Sequence, residues 1–306
     1  MKGIRRIRAA CDRPRRTAAA GRRAPLCHYG PGETPLRATP PSRKAGRPAL
    51  DKRLGQHHLL HGGLCRPLLE FLLPVAGDRV LEIGPGGGVL TAELVATGAR
   101  VLTVELDARW AFALAATPSR PAAIAVADAL DIVWERLPAP TLVAGNLPYG
   151  VGTALVERFL RGAGERAPRA AFLLQSEVVD RLVAEPGDGA YGSLSVLVAA
   201  RARALRLGRL GPAAFRPRPK VESSYVGLIP HPPVAGTEDF AAFAATVRAA
   251  FAQRRKTLRN SLASAWGRER GERALAAAGI PPELRAERLG VEQFVALHRA
   301  ATVPEC

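Results

Sequence analysis

The sequence predicts an α/β fold, a mostly parallel sheet with helices on both faces, followed by a small all-helical segment. Between residues 80 and 146 short apolar strands alternate with helical stretches, and such alternation implies right-handed βαβ units and a parallel sheet. Beyond Pro230-His231-Pro232-Pro233 the strand-like runs cease. Residues 235–306 read as helices, with Phe240, Phe243, Val247 and Phe251 at helical spacing. Each strand of the first region also leads into a polar residue, at the sheet edge where ligands sit in open α/β folds.

The chain has 306 residues, a net charge of +17 and a pI near 11.0, which point to a polyanionic partner. The charge is uneven. Residues 1–50 hold thirteen Lys and Arg against Asp12 and Glu33, so +11 lies there and +6 remains for residues 51–306. This stretch is rich in Arg, Pro, Ala and Gly without an apolar period and reads as a disordered extension. A nucleic-acid-binding arm, a transit segment and a start codon placed too early all fit it, although its prolines argue against an amphipathic targeting helix. No transmembrane run or secretory segment is visible, and Cys11, Cys27, Cys65 and Cys306 form no CxxC pair. A reducing, cytoplasmic setting is expected, with neither a disulfide framework nor a zinc site. His57 and His61 have the spacing of metal ligands on a helix, but no acid or Cys accompanies them.

Leu64–Leu73 reads as a helix ended by Pro74. Four strands follow. Val80-Leu81-Glu82-Ile83 leads into Gly84-Pro85-Gly86-Gly87-Gly88, Val101–Val104 into Glu105, Ala123–Val126 into Asp128, and Leu142-Val143 into Asn146. Helices are expected over Val89–Thr97 and Ala108–Ala116, with a short one near Ile132–Arg136. In a parallel sheet all four polar ends share one edge. The glycine run allows close backbone approach to a ligand. Val89 stands where a dinucleotide fingerprint requires its last Gly. Glu82 before the loop would repel pyrophosphate and suits an α-amino group. Glu105 suits the two hydroxyls of a ribose, and Asp128 an adenine amine. Amino acid, ribose and adenine together are S-adenosylmethionine. An NAD-binding or purely structural domain remains the alternative to this methyl-donor site.

Asn146-Leu147-Pro148-Tyr149 is the expected reaction centre. Pro148 stiffens the turn, Asn146 and the Leu147 carbonyl offer acceptors for an exocyclic amine, and Tyr149 offers a stacking face. The bland alternative is an ordinary βα turn with Asn and Pro in capping positions. Ala170–Gln175 is expected as a fifth strand, Ser176–Leu182 as a helix, Tyr191–Ala200 as a helix or apolar segment, and Ala204–Leu210 and Val226–Ile229 as strands. Between the last two, Phe215-Arg216-Pro217-Arg218-Pro219-Lys220-Val221 is held extended by its prolines. Phe215 would stack a base, unless it plugs the core, and Arg216, Arg218 and Lys220 would meet phosphates. The helix bearing Phe240–Phe251 is expected to continue through Gln253–Asn260, presenting Arg254, Arg255 and Arg259 to RNA.

With these motifs in place, the chain from Gly55 onward resembles the ribosomal RNA adenine dimethyltransferase family, and most closely the bacterial branch that dimethylates two adjacent adenines near the 3′ end of 16S rRNA. The carriers are Gly55-Gln56, Glu82-Ile83-Gly84-Pro85-Gly86, Glu105-Leu106-Asp107, Asp128-Ala129, Asn146–Tyr149, Leu174–Val179, Tyr191–Val196, Phe215–Val221 and Phe251–Leu262. The family usually has Asn-Phe where this chain has His57-His58. The resemblance implies a Rossmann-like class I methyltransferase domain over residues 51–230 and a helical rRNA-binding domain over 235–306. It implies S-adenosylmethionine held by Gln56, His57, Glu82, Gly84, Gly86, Glu105, Leu106, Asp128, Ala129 and Asn146. It further implies catalysis at Asn146, Leu147, Pro148, Tyr149 and Phe215 by a monomer acting on the immature small ribosomal subunit without a metal. The branch that modifies 23S rRNA and confers macrolide resistance, a DNA adenine-N6 methyltransferase, and an RNA-binding assembly or transcription factor on the same fold are the alternatives.

Overall fold

A computed structural model describes residues 48–49, 55–253 and 255–302. The basic extension, apart from residues 48 and 49, and Arg254 therefore lie outside the described residues. The first elements are a two-residue strand β1 (His58–Leu59), a 3-10 turn at Gly62–Cys65 and helix α1 (Arg66–Leu72). Leu73, in the left-handed region, ends α1 just before Pro74.

The alternation expected from the sequence is then realised. Strand β2 (Arg79–Ile83) is followed by α2 (Val89–Ala96), β3 (Arg100–Glu105), α3 (Ala108–Ala115) and β4 (Ala123–Val126). Two 3-10 turns, Ala129–Asp131 and Trp134–Arg136, replace the short helix expected near Ile132. Next come β5 (Leu142–Asn146), α4 (Gly152–Gly162), β6 (Ala170–Gln175), α5 (Ser176–Val183) and α6 (Ser193–Ala199). Strands β7 (Ala202–Leu210), β8 (Phe215–Arg216) and β9 (Ser223–Pro230) complete the sheets.

The main sheet has seven strands in the order β4-β3-β2-β5-β6-β9-β7. The strands β4 to β6 run parallel, while β9 pairs antiparallel with β6 and β7 antiparallel with β9. The order runs outward from β2 to β4 on one side and from β5 to β6 on the other. The switch point therefore falls between β2 and β5, where the connections part and leave a crevice. Register places Glu82 opposite Ala144 and Ile83 opposite Gly145, so the glycine loop and the Asn146 turn leave the sheet side by side.

Strand alternation sends side chains into two apolar layers. Val80, Val101, Ala171 and Leu173 pack with Leu68, Phe71 and Leu94 from α1 and α2. Leu81, Ile83, Phe172 and Leu174 face the other way, onto Leu155 and Phe159 of α4 and Leu194 of α6. That second layer continues without a break into the C-terminal helices α7 (Phe240–Phe251), α8 (Leu258–Trp266), α9 (Arg268–Ala277) and α10 (Val291–Thr302). Polar ties also join the helices to the sheet region. The Tyr191 hydroxyl donates to the Leu289 carbonyl (2.8 Å), and the Arg201 guanidinium donates to the carbonyls of Thr237 and Glu238.

One expected helix is two. The helix expected to run from Phe240 through Asn260 stops at Phe251, and α8 starts afresh at Leu258. The positions three and four beyond Phe251 are both arginines. A continuous helix would carry those charges along its apolar stripe, at a cost that burial of unpaired charge always exacts. Turning the chain instead buries Leu258 and Leu262, and the first N–H groups of α8 donate to the carbonyls of Leu284 (2.7 Å) and Pro282 (3.1 Å). Among the described residues no helix is long and apolar enough to cross a membrane.

Candidate active site

A cavity of about 350 Å³ opens at the β2/β5 switch point. Its floor is the glycine loop, its walls are the ends of β3, β4 and β5, and residues 55–59 close one side. At Gly86, with φ +49°, a Cβ would come within 2.9 Å of the His58 imidazole, so a side chain there would be both strained and obstructed.

Glu82 is 1% exposed and points, with Val80, to the α2 side, where it accepts a hydrogen bond from the Thr91 hydroxyl (2.7 Å). Burial lifts its carboxyl to about 8; the Thr91 bond opposes that rise and the Glu105 charge adds to it. Among the described residues no cation forms an ion pair with it. A buried acid of this kind is relieved by an incoming ammonium group. Glu105, 5% exposed, accepts from the Gly86 N–H (2.9 Å) with one oxygen and from the Asp107 N–H (3.0 Å) with the other. Burial raises its pKa, against the two backbone bonds. Those bonds hold the carboxylate rigidly and leave further lone pairs for hydroxyl donors. Asp128 sits exposed at the cavity lip and accepts from the Leu130 N–H (2.8 Å), which fixes one oxygen. Leu106 and Ala129 supply apolar wall between these acids, and Gln56 and Gly84 also line the space.

The Asn146 turn is held from below and from the side. The Leu147 side chain is buried, and its N–H donates to the Leu173 carbonyl (3.1 Å) on β6. Asn146 Nδ2 donates to the His57 carbonyl at 2.8 Å. A carbonyl only accepts, so this contact determines which way the amide faces. The nitrogen is committed and Oδ1 is left as an acceptor. The turn's carbonyls also differ. That of Pro148 is taken by the N–H groups of Val151 and Gly152, whereas that of Leu147 receives no hydrogen bond among the described residues. Tyr149 is anchored at both ends, its hydroxyl 2.7 Å from Ser223 Oγ and its ring 5.0 Å from the His57 ring.

One expectation needs correction, and one residue expected to meet RNA has acids beside it. Phe215 does not reach the cavity. It is 4% exposed and packs with Leu59, Phe71 and Tyr225 in the α1 layer. The reason is the pairing of β8 with β1, which sets Phe215 opposite Leu59 and Arg216 opposite His58; alternation then sends the ring inward and the arginine out. Arg259, expected to meet RNA, has two acids nearby. It lies 3.0 Å from Glu283 and 3.6 Å from Glu272, and its charge is largely answered within the chain. Arg216, Arg218, Lys220 and Arg255 are exposed, and none of the four has an acid at ion-pair distance among the described residues. The expectation for Arg254 lies outside the described residues.

Sequence reasoning missed Thr91, Ser223 and Pro217 as supports of the site. Thr91 carried a signal, being the one hydroxyl on an otherwise apolar face of α2. Ser223 and Pro217 carried none, because their partners lie 74 and 160 residues away.

Comparison with known proteins agrees with this geometry. The family described as Ribosomal RNA adenine dimethylase matches residues 49–302. A "Ribosomal RNA small subunit methyltransferase A" of Aromatoleum aromaticum is 43% identical over 249 residues, covering 80% of this chain and 92% of that protein. The protein of the same name from Methylococcus capsulatus is 40% identical over 258 residues, covering 81% and 96%. Among solved structures, a dimethyladenosine transferase from Plasmodium falciparum shares the fold, with a TM-score of 0.64 at 22% identity over 78% of this chain and 96% of that one. The 23S rRNA methyltransferase ErmE aligns with a TM-score of 0.59 at 26% identity, over 79% and 98%. On the extent of the family match and the identity to these relatives, the chain belongs to the ribosomal RNA adenine dimethylase family.

Proposed function

We propose that this protein transfers methyl groups from S-adenosylmethionine to the N6 of adenine in small-subunit ribosomal RNA, twice per base, on two adjacent adenines near the 3′ end during maturation of the subunit. The observation that carries the reading is the orientation of Asn146, whose nitrogen is committed to the His57 carbonyl, which leaves Oδ1 to accept, while the carbonyl of the next residue, Leu147, receives no hydrogen bond among the described residues.

The residues present fit the donor. Glu82, a buried acid with no internal cation, would take its ammonium group, Glu105 its ribose hydroxyls and Asp128 its adenine amine. S-adenosylmethionine supplies an electrophilic methyl on a positively charged sulfur. The chain's own task is then to present a nitrogen. Adenine N6 is a poor nucleophile because its lone pair is delocalised into the ring. Asn146 Oδ1 and the Leu147 carbonyl accept its two hydrogens and favour a pyramidal nitrogen whose lone pair is free. Tyr149 holds the base by its face, which requires that the base leave its stack. Pro148 keeps the turn stiff. No proton-abstracting side chain is needed while the nitrogen reacts, and proximity with in-line geometry supplies most of the acceleration. Each transfer breaks the methyl–sulfur bond, leaves S-adenosylhomocysteine, and makes a cationic nitrogen that is acidic enough to give its proton to water. After the first transfer N6 thus retains a single hydrogen, so one of the two acceptor contacts opens to admit the added methyl. Arg216, Arg218, Lys220 and Arg255 contact phosphates and set position. One copy of the chain, in the cytoplasm, suffices.

The test is methyl transfer to immature small subunits, with 23S rRNA and duplex DNA as competing substrates. Asn146→Ala is expected to lower turnover by about 10²–10³, the scale of losing a positioned polar group at a reacting centre, with donor affinity nearly intact. Turnover at the wild-type rate would overturn the assignment, and preference for 23S rRNA would move the protein to the other branch.

A further inference from the structure

His57 touches three parts of the chain. Its carbonyl accepts from Asn146 Nδ2, 89 residues away. Its ring lies 5.0 Å from that of Tyr149, tilted by 35°. Its Nδ1 is 2.8 Å from the Pro217 carbonyl, 160 residues away, and since a carbonyl only accepts, Nδ1 carries a hydrogen. The Pro217 loop begins with exposed Arg216 and ends at Ser223, which bonds the Tyr149 hydroxyl. The loop bearing Arg216, Arg218 and Lys220 therefore meets the Asn146–Tyr149 turn at two points, and the His57 ring mediates one of them.

We propose that His57 is a positioning residue for the acceptor base, tying the cation-bearing loop to the Asn146–Tyr149 turn, and not a ligand of the methyl donor. The competing reading is real, because His57 also lines the donor cavity. The inference rests on Asn146 and Tyr149 forming the acceptor site. Its chemistry is particular to this side chain. The carbonyl link to Asn146 survives any substitution, whereas the ring joins two contacts that smaller residues separate. Asparagine, the usual residue of the family here, keeps an N–H near the place of Nδ1 but has no ring to set against Tyr149. Phenylalanine keeps the ring and has no donor for Pro217.

The test uses the full chain with His57→Ala, His57→Asn and His57→Phe. Single-turnover methylation of immature small subunits is measured at saturating S-adenosylmethionine, and donor Kd separately by calorimetry. We expect Kd within about twofold of wild type for all three, since this assignment gives the ring no contact with the donor. The rate constant should fall about tenfold in His57→Ala, the scale of one or two modest contacts, and recover in part in each of the other two. Combined with Tyr149→Leu, His57→Ala should cost less than its single effect, because the ring contact is shared. A weakened Kd with a normal saturated rate, or weakening of both, would return His57 to the donor site. Wild-type rates in all three variants would deny the ring any role. If His57→Ala does not fold, the Asn and Phe variants still decide between these outcomes. Asn146→Ala serves as the control: if it is fully active the acceptor reading itself fails, whereas an inactive Asn146→Ala beside fully active His57 variants refutes this inference alone.

Discussion

Glu82 yields the most demanding prediction, because the same burial governs donor binding and stability. Its carboxyl, lifted to about 8, is protonated in the unliganded protein at neutral pH. An ammonium group is held strongly only by the ionised form, so binding below pH 8 must expel a proton. Each pH unit is worth about 1.4 kcal/mol to the ionised form. Affinity for S-adenosylhomocysteine, which carries the same amino acid end, should therefore rise about tenfold from pH 6 to pH 7. Calorimetry in buffers of different ionisation heat should show close to one proton released at pH 7. Glu82→Gln keeps a polar partner for Thr91 but cannot ionise, so its weaker binding should be nearly flat over the same range. Stability runs the other way. A folded pKa raised from 4.5 to about 8 means that the folded state holds the extra proton between those values. The unliganded protein should lose stability as pH climbs through that window, and Glu82→Gln should lose less. A wild-type protein that binds without releasing a proton, or a Glu82→Gln protein with an unchanged pH profile, would refute the reasoning.

Phe215→Ala should destabilise the protein by about 3–5 kcal/mol, as large core truncations do, while Phe215→Leu should keep most of both stability and turnover; chemical denaturation alongside methylation checks this, and a stable but inactive Phe215→Leu would restore a stacking role to the ring. Replacing Arg216 and Arg218 together by Gln should flatten the dependence of log affinity on log salt by about one and a half to two units, the contribution of two phosphate contacts. The same exchange at Arg259 should change that slope little, because its charge is paired with Glu272 and Glu283. His298 is 8% exposed and shares a hydrogen bond with the Thr246 hydroxyl (2.8 Å); burial lowers its pKa, against the pull of Asp239. Its stabilising effect is complete above about pH 6.5 and declines as pH falls below that value, so His298→Gln should flatten the acid limb of a melting-temperature profile.

The chain's local patterns were sufficient for much of this architecture. Apolar runs of period two and stretches of period 3.6 depend only on neighbours within a few residues, so β2 to β6 and the helices α2 and α3 were legible within a residue or two at most ends, whereas α4 between β5 and β6 was not read from the sequence. The polar residue closing each strand was equally legible, and parallel alternation alone brings Glu82, Glu105, Asp128 and Asn146 to one edge. What the tertiary structure decided involves partners distant in sequence. The Asn146 amide faces as it does because the carbonyl of residue 57, distant in sequence, lies against it, and Phe215 is turned inward because β8 pairs with β1. Arg259 is neutralised because α9 and the loop after it bring up Glu272 and Glu283. The break after Phe251 belongs with these. Phe251 and Leu258 keep helical spacing, so periodicity could not reveal the turn between them; the burial of Leu258 and Leu262 in a core shared with α10 imposed it. Periodicity reports which side of an element is apolar, and only the packed chain determines what that side meets.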